Sequence, residues 1–284
     1  MKTLVDFPTF QSYVDAAEHG QTDMGDGERA SRRVGDVRWS GTNDFPAAVR
    51  LARLGWPEGT AKARVLTEAA IDRLASVILR DDWQHCPEGG RGELDVERYL
   101  AGDPECIIAP TVIEETTVNR AVHIVASGAA SAGVDAEAII ARGAAVAALT
   151  ELLTLAGYHV KVTLSTAVKG SGWGGGDSSD FESRCTIKEY TESLDLARLV
   201  FAVAHPSTLR RHHFSLHEQQ TPGIRRATGC PDGYGVPTDC PTEKQGDIYL
   251  GRMLHGERNW NDVPTTLRWC LDQLRAQGVR VEGT

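Results

Sequence analysis

The side chains with the most chemical potential lie between residues 210 and 240. His213 and His217 are four residues apart and would share one face of a helix. Cys230 and Cys240 follow in a proline- and glycine-containing stretch. Two imidazoles and two thiolates can complete a tetrahedral zinc site. The spacing lacks the short C-x-x-C knuckle, so zinc is the alternative reading, and the leading expectation is no cofactor. On that expectation the histidines, with His212, sit on a solvated helix face and the cysteines are reduced thiols. Arg210, Arg211, Arg225 and Arg226 bracket the region. Guanidinium groups can bind an anion or an acidic partner. A solvated cationic face is the simpler expectation, because surface charges contribute little.

A second candidate is the small-residue stretch from Ser127 to Ser131. It follows an apolar run, Val122–Val125, and precedes a helical pattern from Asp135 to Ala156 that Gly157 closes. Tyr158–Leu164 then reads as a second strand. Strand, helix and strand form a βαβ unit with parallel strands. Asp135 is suited to cap the helix. Ile139, Ile140, Val146, Leu149, Leu152 and Leu153 give it an apolar side. Ligands of open α/β sheets bind beyond the carboxyl ends of the strands. That rule places Ser127–Ser131 where a site would lie, although any βαβ unit needs a tight turn there.

The glycines at 170, 172, 174, 175 and 176 do not make a P-loop, since no Lys-Ser or Lys-Thr pair ends the run. A hairpin tip with Trp173 as a contact is the expectation. Neither a G-x-S-x-G elbow nor an H-E-x-x-H helix is present, so hydrolase chemistry finds no support.

Around these candidates the chain predicts further elements. Residues 1–20 read as a short helix, Gln21–Gly35 as a loop and Val37–Trp39 as a short strand. Asp44–Leu54 and Ala61–Arg80 read as helices, Asp81–Arg91 as a loop and Asp95–Ala101 as a helical turn. Cys106–Ile113 and Arg120–Val125 read as strands of an antiparallel hairpin. Arg184–Tyr190 is the next strand, followed by helices over Leu194–Ala204 and Ser207–Gln219, with Pro206 between them. Thr221–Gln245 reads as irregular, Asp247–Leu254 as a strand, and a last helix starts at Asp262, with Val279–Val281 as a final edge strand. The boundary expected is at 105/106, dividing a mainly helical N-terminal region, 1–105, from an α/β domain, 106–284.

The chain has 284 residues and a net charge of −9, with 41% hydrophobic and 24% charged residues. These are globular values. An acidic chain is a poor non-specific partner for nucleic acid, whose phosphates supply most of that affinity. No apolar run approaches the roughly 18 residues of a membrane span. The first residues lack the apolar core of a signal peptide, so a cytoplasm is expected.

Residues 106–284 resemble von Willebrand factor A-like (vWA) domains, particularly degenerate ones beside MoxR-type AAA ATPases. The resemblance rests on Val122–Val125, the Ser127–Ser131 turn, the helix after it, the Thr186–Tyr190 strand and the Asp247–Leu254 strand. It implies a Rossmann-like layered sheet with helices on both faces. Members with a working site hold a metal through an Asp-x-Ser-x-Ser turn. Here Ser127 stands for the aspartate, Ala129 for the first serine and Ser131 for the last. His255-Gly256-Glu257 stands where such domains often have Asp-Gly. The main carboxylate is missing, so the resemblance implies a scaffold rather than metal-dependent adhesion.

Most of the chain is also similar to an uncharacterised family of phage-encoded proteins. The matching stretches are Trp39–Thr42, Ala52–Gly59, Asp95–Cys106, Ala132–Val134 and Tyr234–Pro237. No activity transfers with them. They imply a phage or prophage origin and a host-cytoplasmic setting. The combined expectation is a non-enzymatic interaction module that binds another phage or host protein, with a MoxR-type AAA ATPase as one candidate. Ser127, Ser131, Arg210, Arg211, His255 and Glu257 are its candidate binding residues. A zinc-dependent protein using the His212–Cys240 region and a nucleic-acid-associated phage protein are the alternatives.

Overall fold

A computed structural model of the chain describes residues 2–61, 83–86, 93–110, 121–155, 157–170 and 180–257, with Arg64, Val65, Glu68, Thr265, Arg268, Trp269 and Asp272 besides. It is an α/β protein with a mixed central sheet flanked by helices. The strands of that sheet are β1 (Lys2–Phe7), β5 (Ala121–Ser127), β6 (His159–Lys169), β7 (Asp180–Lys188), β8 (Val236–Thr238) and β9 (Ile248–Leu250). Their order is β1-β7-β6-β5-β9, and β8 pairs with β6. A separate sheet joins β2 (Trp83–Cys86), β4 (Ile107–Pro110) and β3 (Glu93–Leu94).

The βαβ unit is present. β5 runs parallel to β6, from Ala121 opposite His159 to Ser127 opposite Ser165. Helix α5 (Ala136–Leu155) connects them, after the shorter helices α1 (Phe10–His19), α2 (Val37–Ser40), α3 (Phe45–Leu54) and α4 (Val96–Leu100). α5 is long and apolar enough to cross a membrane by length and composition, with a mean hydropathy of 1.6 in its best window. This corrects the reading that no such run exists. It is a core helix, with Leu149 fully buried and Gly143 against α6 (Leu196–Ala204).

Side chains alternate across the sheet. Val122, Ile124, Val160, Val162, Leu164, Phe181 and Cys185 share one core with α1, α3, α5 and α6. The other face carries Thr163, Ser165, Glu182 and Arg184, all buried. Part of its cover is the segment near 240–244, where Arg184 donates to the Lys244 carbonyl at 2.9 Å. That segment includes a 3-10 turn, Thr242–Lys244.

Several elements differ from expectation for nonlocal reasons. Residues 2–7 form a strand rather than the start of a helix, because β1 pairs with β7 about 178 residues away, Lys2 opposite Asp180. The helix begins after Thr9, whose hydroxyl accepts from the Ser12 amide at 3.1 Å in a capping box. Val37–Ser40 is a helical turn, not a strand, set between Asp36 and Gly41, both left-handed. Trp83–Cys86 is a strand where a loop was expected. The 107–110 and 121–127 strands do not form a hairpin: β4 pairs with β2 and β3, whereas β5 lies between β6 and β9. The antiparallel hairpin is β6–β7 instead, with Lys169 opposite Asp180. The 105/106 boundary is not a division between two cores, since Phe7 to Ala52 pack in the same cluster as Val122 to Met253. Within Thr221–Gln245 lies a helix, α8 (Pro222–Thr228), with the strand β8. The expected helix at Ala61–Arg80 falls mostly outside the described residues, as do most of Lys169–Ser179 and the last helix and strand.

Close packing of α5 on α6 gives a test. A Cβ on Gly143 would lie 2.2 Å from the Ala204 Cβ and 2.3 Å from its Cα. Overpacking of that kind costs about 1–3 kcal/mol. Gly143→Val is expected to lower the urea midpoint accordingly. Gly27→Ala, where nothing lies within 4 Å, should leave it in place.

Candidate functional site

Gly128 marks the point where β5 and β6 part. Its amide donates to the Ser165 carbonyl at 2.8 Å. A Cβ there would meet the Thr166 hydroxyl at 2.3 Å, so glycine is needed for the close approach. Beyond it, β8 takes over the β6 edge, with Thr238 opposite Ala167 and Val236 opposite Lys169. The turn 129–132 swings to the other side and bridges Met253. Between them opens a cavity of about 380 Å³. It lies beyond the carboxyl end of β5, where open α/β sheets place their ligands.

The lining is mainly apolar. Ala129, Ala130 and Ala132 come from the turn, Trp39 from α2, and Phe214 and Tyr234 supply an aromatic wall. Phe214 and Tyr234 are stacked at 3.7 Å between centroids, and Trp39 lies 5.9 Å from Phe214. Exposed Asp36, Arg33 and Asp232 complete the lining with charge.

Arg210 and Arg211 also reach this cavity, but they are 2% exposed each. The expectation of a solvated cationic face is wrong for both. They belong to a π-helix, Thr208–His213, that continues into α7 (Phe214–Glu218). Arg211 donates to the carbonyls of Ser31 at 2.9 Å, Thr42 at 3.0 Å and Gly35 and Asn43 at 3.3 Å, and to the Ser40 hydroxyl at 3.0 Å. It also holds the Arg33 carbonyl. Arg210 holds the carbonyls of Trp39 and, at 2.7 Å, Val134, and lies 4.7 Å over the Trp39 ring. Burial lowers the Arg210 pKa to about 10, which leaves it charged at neutral pH. Two guanidinium groups therefore clamp the strap of residues 31–43 as one wall of the cavity.

Glu218 ties the same strap from behind. It is fully buried and accepts from Arg29 Nε at 2.9 Å, the Ser31 amide at 2.9 Å and the Tyr234 hydroxyl at 2.6 Å. Arg29 also donates to the Ser215 hydroxyl at 3.0 Å. Arg225 is buried and pairs with Asp23 at 2.6 Å, whereas Arg226 is exposed. Arg29, Trp39, Phe214, Glu218 and Tyr234 were not foreseen as site residues. The one signal for them was that Trp39–Thr42 and Tyr234–Pro237 stood among the stretches shared with phage-encoded proteins.

The histidines are core residues, not a solvated face. His212, His213 and His217 are fully buried. His213 Nδ1 pairs with the Ser183 hydroxyl at 2.8 Å, and His217 Nε2 with the Thr228 hydroxyl at 2.7 Å. His213 and His217 do share a side, with rings 6.1 Å apart. The cysteines are elsewhere. Cys230 is half-buried by Tyr234, and burial raises its thiol to about 11. Cys240 lies by Ser165 and Tyr249 on the Glu182 face of the sheet. His213 meets Ser183 on the opposite face, so the sheet separates it from Cys240. Among the described residues no three His, Cys, Asp or Glu side chains gather to hold a metal. Both thiols are pushed up by burial, which is the environment of an unreactive cysteine.

The other candidates converge on one corner. Ser127 is buried, and its hydroxyl accepts from the Ala129 amide at 3.3 Å. Ser131 lines the cavity, and its amide donates to Met253 at 2.9 Å. His255 is exposed and donates from Nδ1 to the Gly133 carbonyl at 3.0 Å. Glu257 is exposed and accepts from the Leu254 amide at 2.9 Å. Ser127 and Ser131 thus shape the turn, and His255 latches it.

A mixed sheet flanked by helices, with a cavity beyond β5, makes this an α/β protein. Within that class, the chain matches the family DUF7192, a domain of unknown function, over residues 2–281, and it belongs to that family. No curated protein and no solved structure matches it.

The buried histidines predict an acid-labile fold. Desolvation lowers His205 and His217 to about 3 and His212 to about 4, and holds His213 well below its usual value. Above about pH 6.5 both folded and unfolded forms are neutral, and no stability depends on these groups. Below it only the unfolded chain takes up protons, so stability falls as pH falls. Each histidine contributes up to about 1.4 kcal/mol per pH unit. His205, His212 and His217 together remove about 6 kcal/mol by pH 5, comparable with the whole stability of a domain, and His213 acts in the same direction. Urea midpoints should drop steeply between pH 7 and 5. A flat profile over that range would contradict the buried neutral assignment.

Proposed function

We propose that this protein is a non-catalytic interaction module whose binding site is the cavity beyond β5. The observation that carries the reading is the lining. A pocket in the ligand position of an α/β sheet presents Trp39, Phe214, Tyr234 and small alanines, while its buried guanidinium groups, Arg210 and Arg211, are spent on backbone carbonyls. Such a surface suits a bulky apolar anchor from another protein, because hot spots form where aromatic groups exclude water. We further read the sheet as vWA-like with a degenerate metal turn, Ser127 standing where the aspartate would be. The parallel β5–α5–β6 unit and the neighbouring β9 support that reading. The partner is then a phage or host protein in the host cytoplasm, with a MoxR-type AAA ATPase the first to test.

The test is capture of a stoichiometric partner by the intact protein and by Trp39→Ala. Loss of one aromatic anchor costs about 2 kcal/mol, or about 30-fold in affinity. Wild type should retain a partner that the variant releases, with both proteins folded. Recovery of no stoichiometric partner, or equal recovery by both proteins, would remove the reading.

A further inference from the structure

Among the described residues, nothing pairs with the main chain of Ala130 on the cavity side. The bridge to Met253 uses the Ala129 carbonyl, at 3.0 Å, and the Ser131 amide, at 2.9 Å. In a ladder, alternate residues turn their N–H and C=O groups to opposite edges. The Ala130 N–H and C=O therefore point away from Met253. Two residues earlier, Gly128 still donates across to Ser165 of β6. Ala130 would continue that ladder to residue 167, but Ala167 is already paired with Thr238 of β8. The interposed strand leaves a notch in the sheet, and the cavity fills it. From the far wall β8 offers Pro237, which has no N–H to donate.

We infer that the notch takes an extended segment of a partner protein, which adds as a strand along Ala130 and places a bulky apolar side chain against Trp39, Phe214 and Tyr234. This rests on the cavity being the binding site and specifies how it is used. An open donor and acceptor on a strand edge is the requirement for strand addition. Alanine side chains at 129, 130 and 132 let a second backbone come close. Charge selects the segment further. At the rim the exposed charges are Asp36 and Asp232 against Arg33, while Arg210 and Arg211, deeper in the lining, are turned onto main-chain carbonyls. Basic residues flanking the apolar anchor complement that mouth.

The experiment selects binders from a displayed random dodecapeptide library on the full chain, with Trp39→Ala protein as the counter-selection. The best sequence is then synthesised as a set of peptides, each methylated at one backbone nitrogen. Strand addition predicts an apolar anchor flanked by lysine or arginine. It also predicts a period-two pattern, in which methylation at alternate positions near the anchor weakens binding tenfold or more and the positions between tolerate it. Ala130→Pro, which deletes the N–H that would donate to the added strand, should weaken binding of the parent peptide by a similar factor. Selected peptides indifferent to methylation at every position would overturn strand addition and leave the pocket reading standing. No enrichment over the Trp39→Ala protein would overturn both.

Discussion

Arg211 carries a buried positive charge that reaches five main-chain carbonyls and one hydroxyl of the strap 31–43. That stretch buries little apolar surface of its own; Val34 is 77% and Val37 51% exposed. Hydrophobic burial does not hold it. Hydrogen bonds to a charged donor do, each stronger than a neutral one because the cation stays ionised inside the protein. The strap is in turn the wall that brings Trp39 to the cavity. Asp36 and Asp44 act on the guanidinium only from a distance, so the carbonyl dipoles bear most of its solvation.

The Glu218 network gives that arrangement a second anchor. A fully buried carboxylate is costly to desolvate and repays it only when its oxygens are well bonded. Arg29 and Ser31 supply those bonds from the start of the strap and Tyr234 from a distant loop. One carboxylate thus fixes the strap, α7 and the 229–237 loop relative to one another. The aromatic stack of Phe214 on Tyr234 completes the same joint. The cavity is a consequence of these polar fixings acting on an apolar lining.

The central βαβ unit was legible because its information is local. Apolar runs, a capped helix and a closing glycine lie within about forty residues of one another. The β1 strand was not, since its partner is β7 and only long-range pairing distinguishes Lys2–Phe7 from a helical start. The pairing of β5 with β9 was hidden for the same reason, and the short Glu114–Asn119 connection favoured a false hairpin. The position of the candidate site was legible from the rule that α/β ligands lie beyond strand ends. Its chemistry was not. Arg210, Arg211 and the three histidines at 212, 213 and 217 read as a polar helix face, yet all are buried. A sequence pattern shows that such side chains exist, not that distant carbonyls and hydroxyls will satisfy them.

Amide hydrogen exchange across residues 31–43, in wild type and in Arg211→Met, tests the clamp most directly. Leaving several buried carbonyls without a donor costs about 3 kcal/mol or more. The account predicts that strap amides exchange about 100-fold faster in the variant while β5 and β6 keep their protection. Unchanged protection of the strap would contradict it, and would mean that something other than the buried guanidinium holds the cavity wall in place.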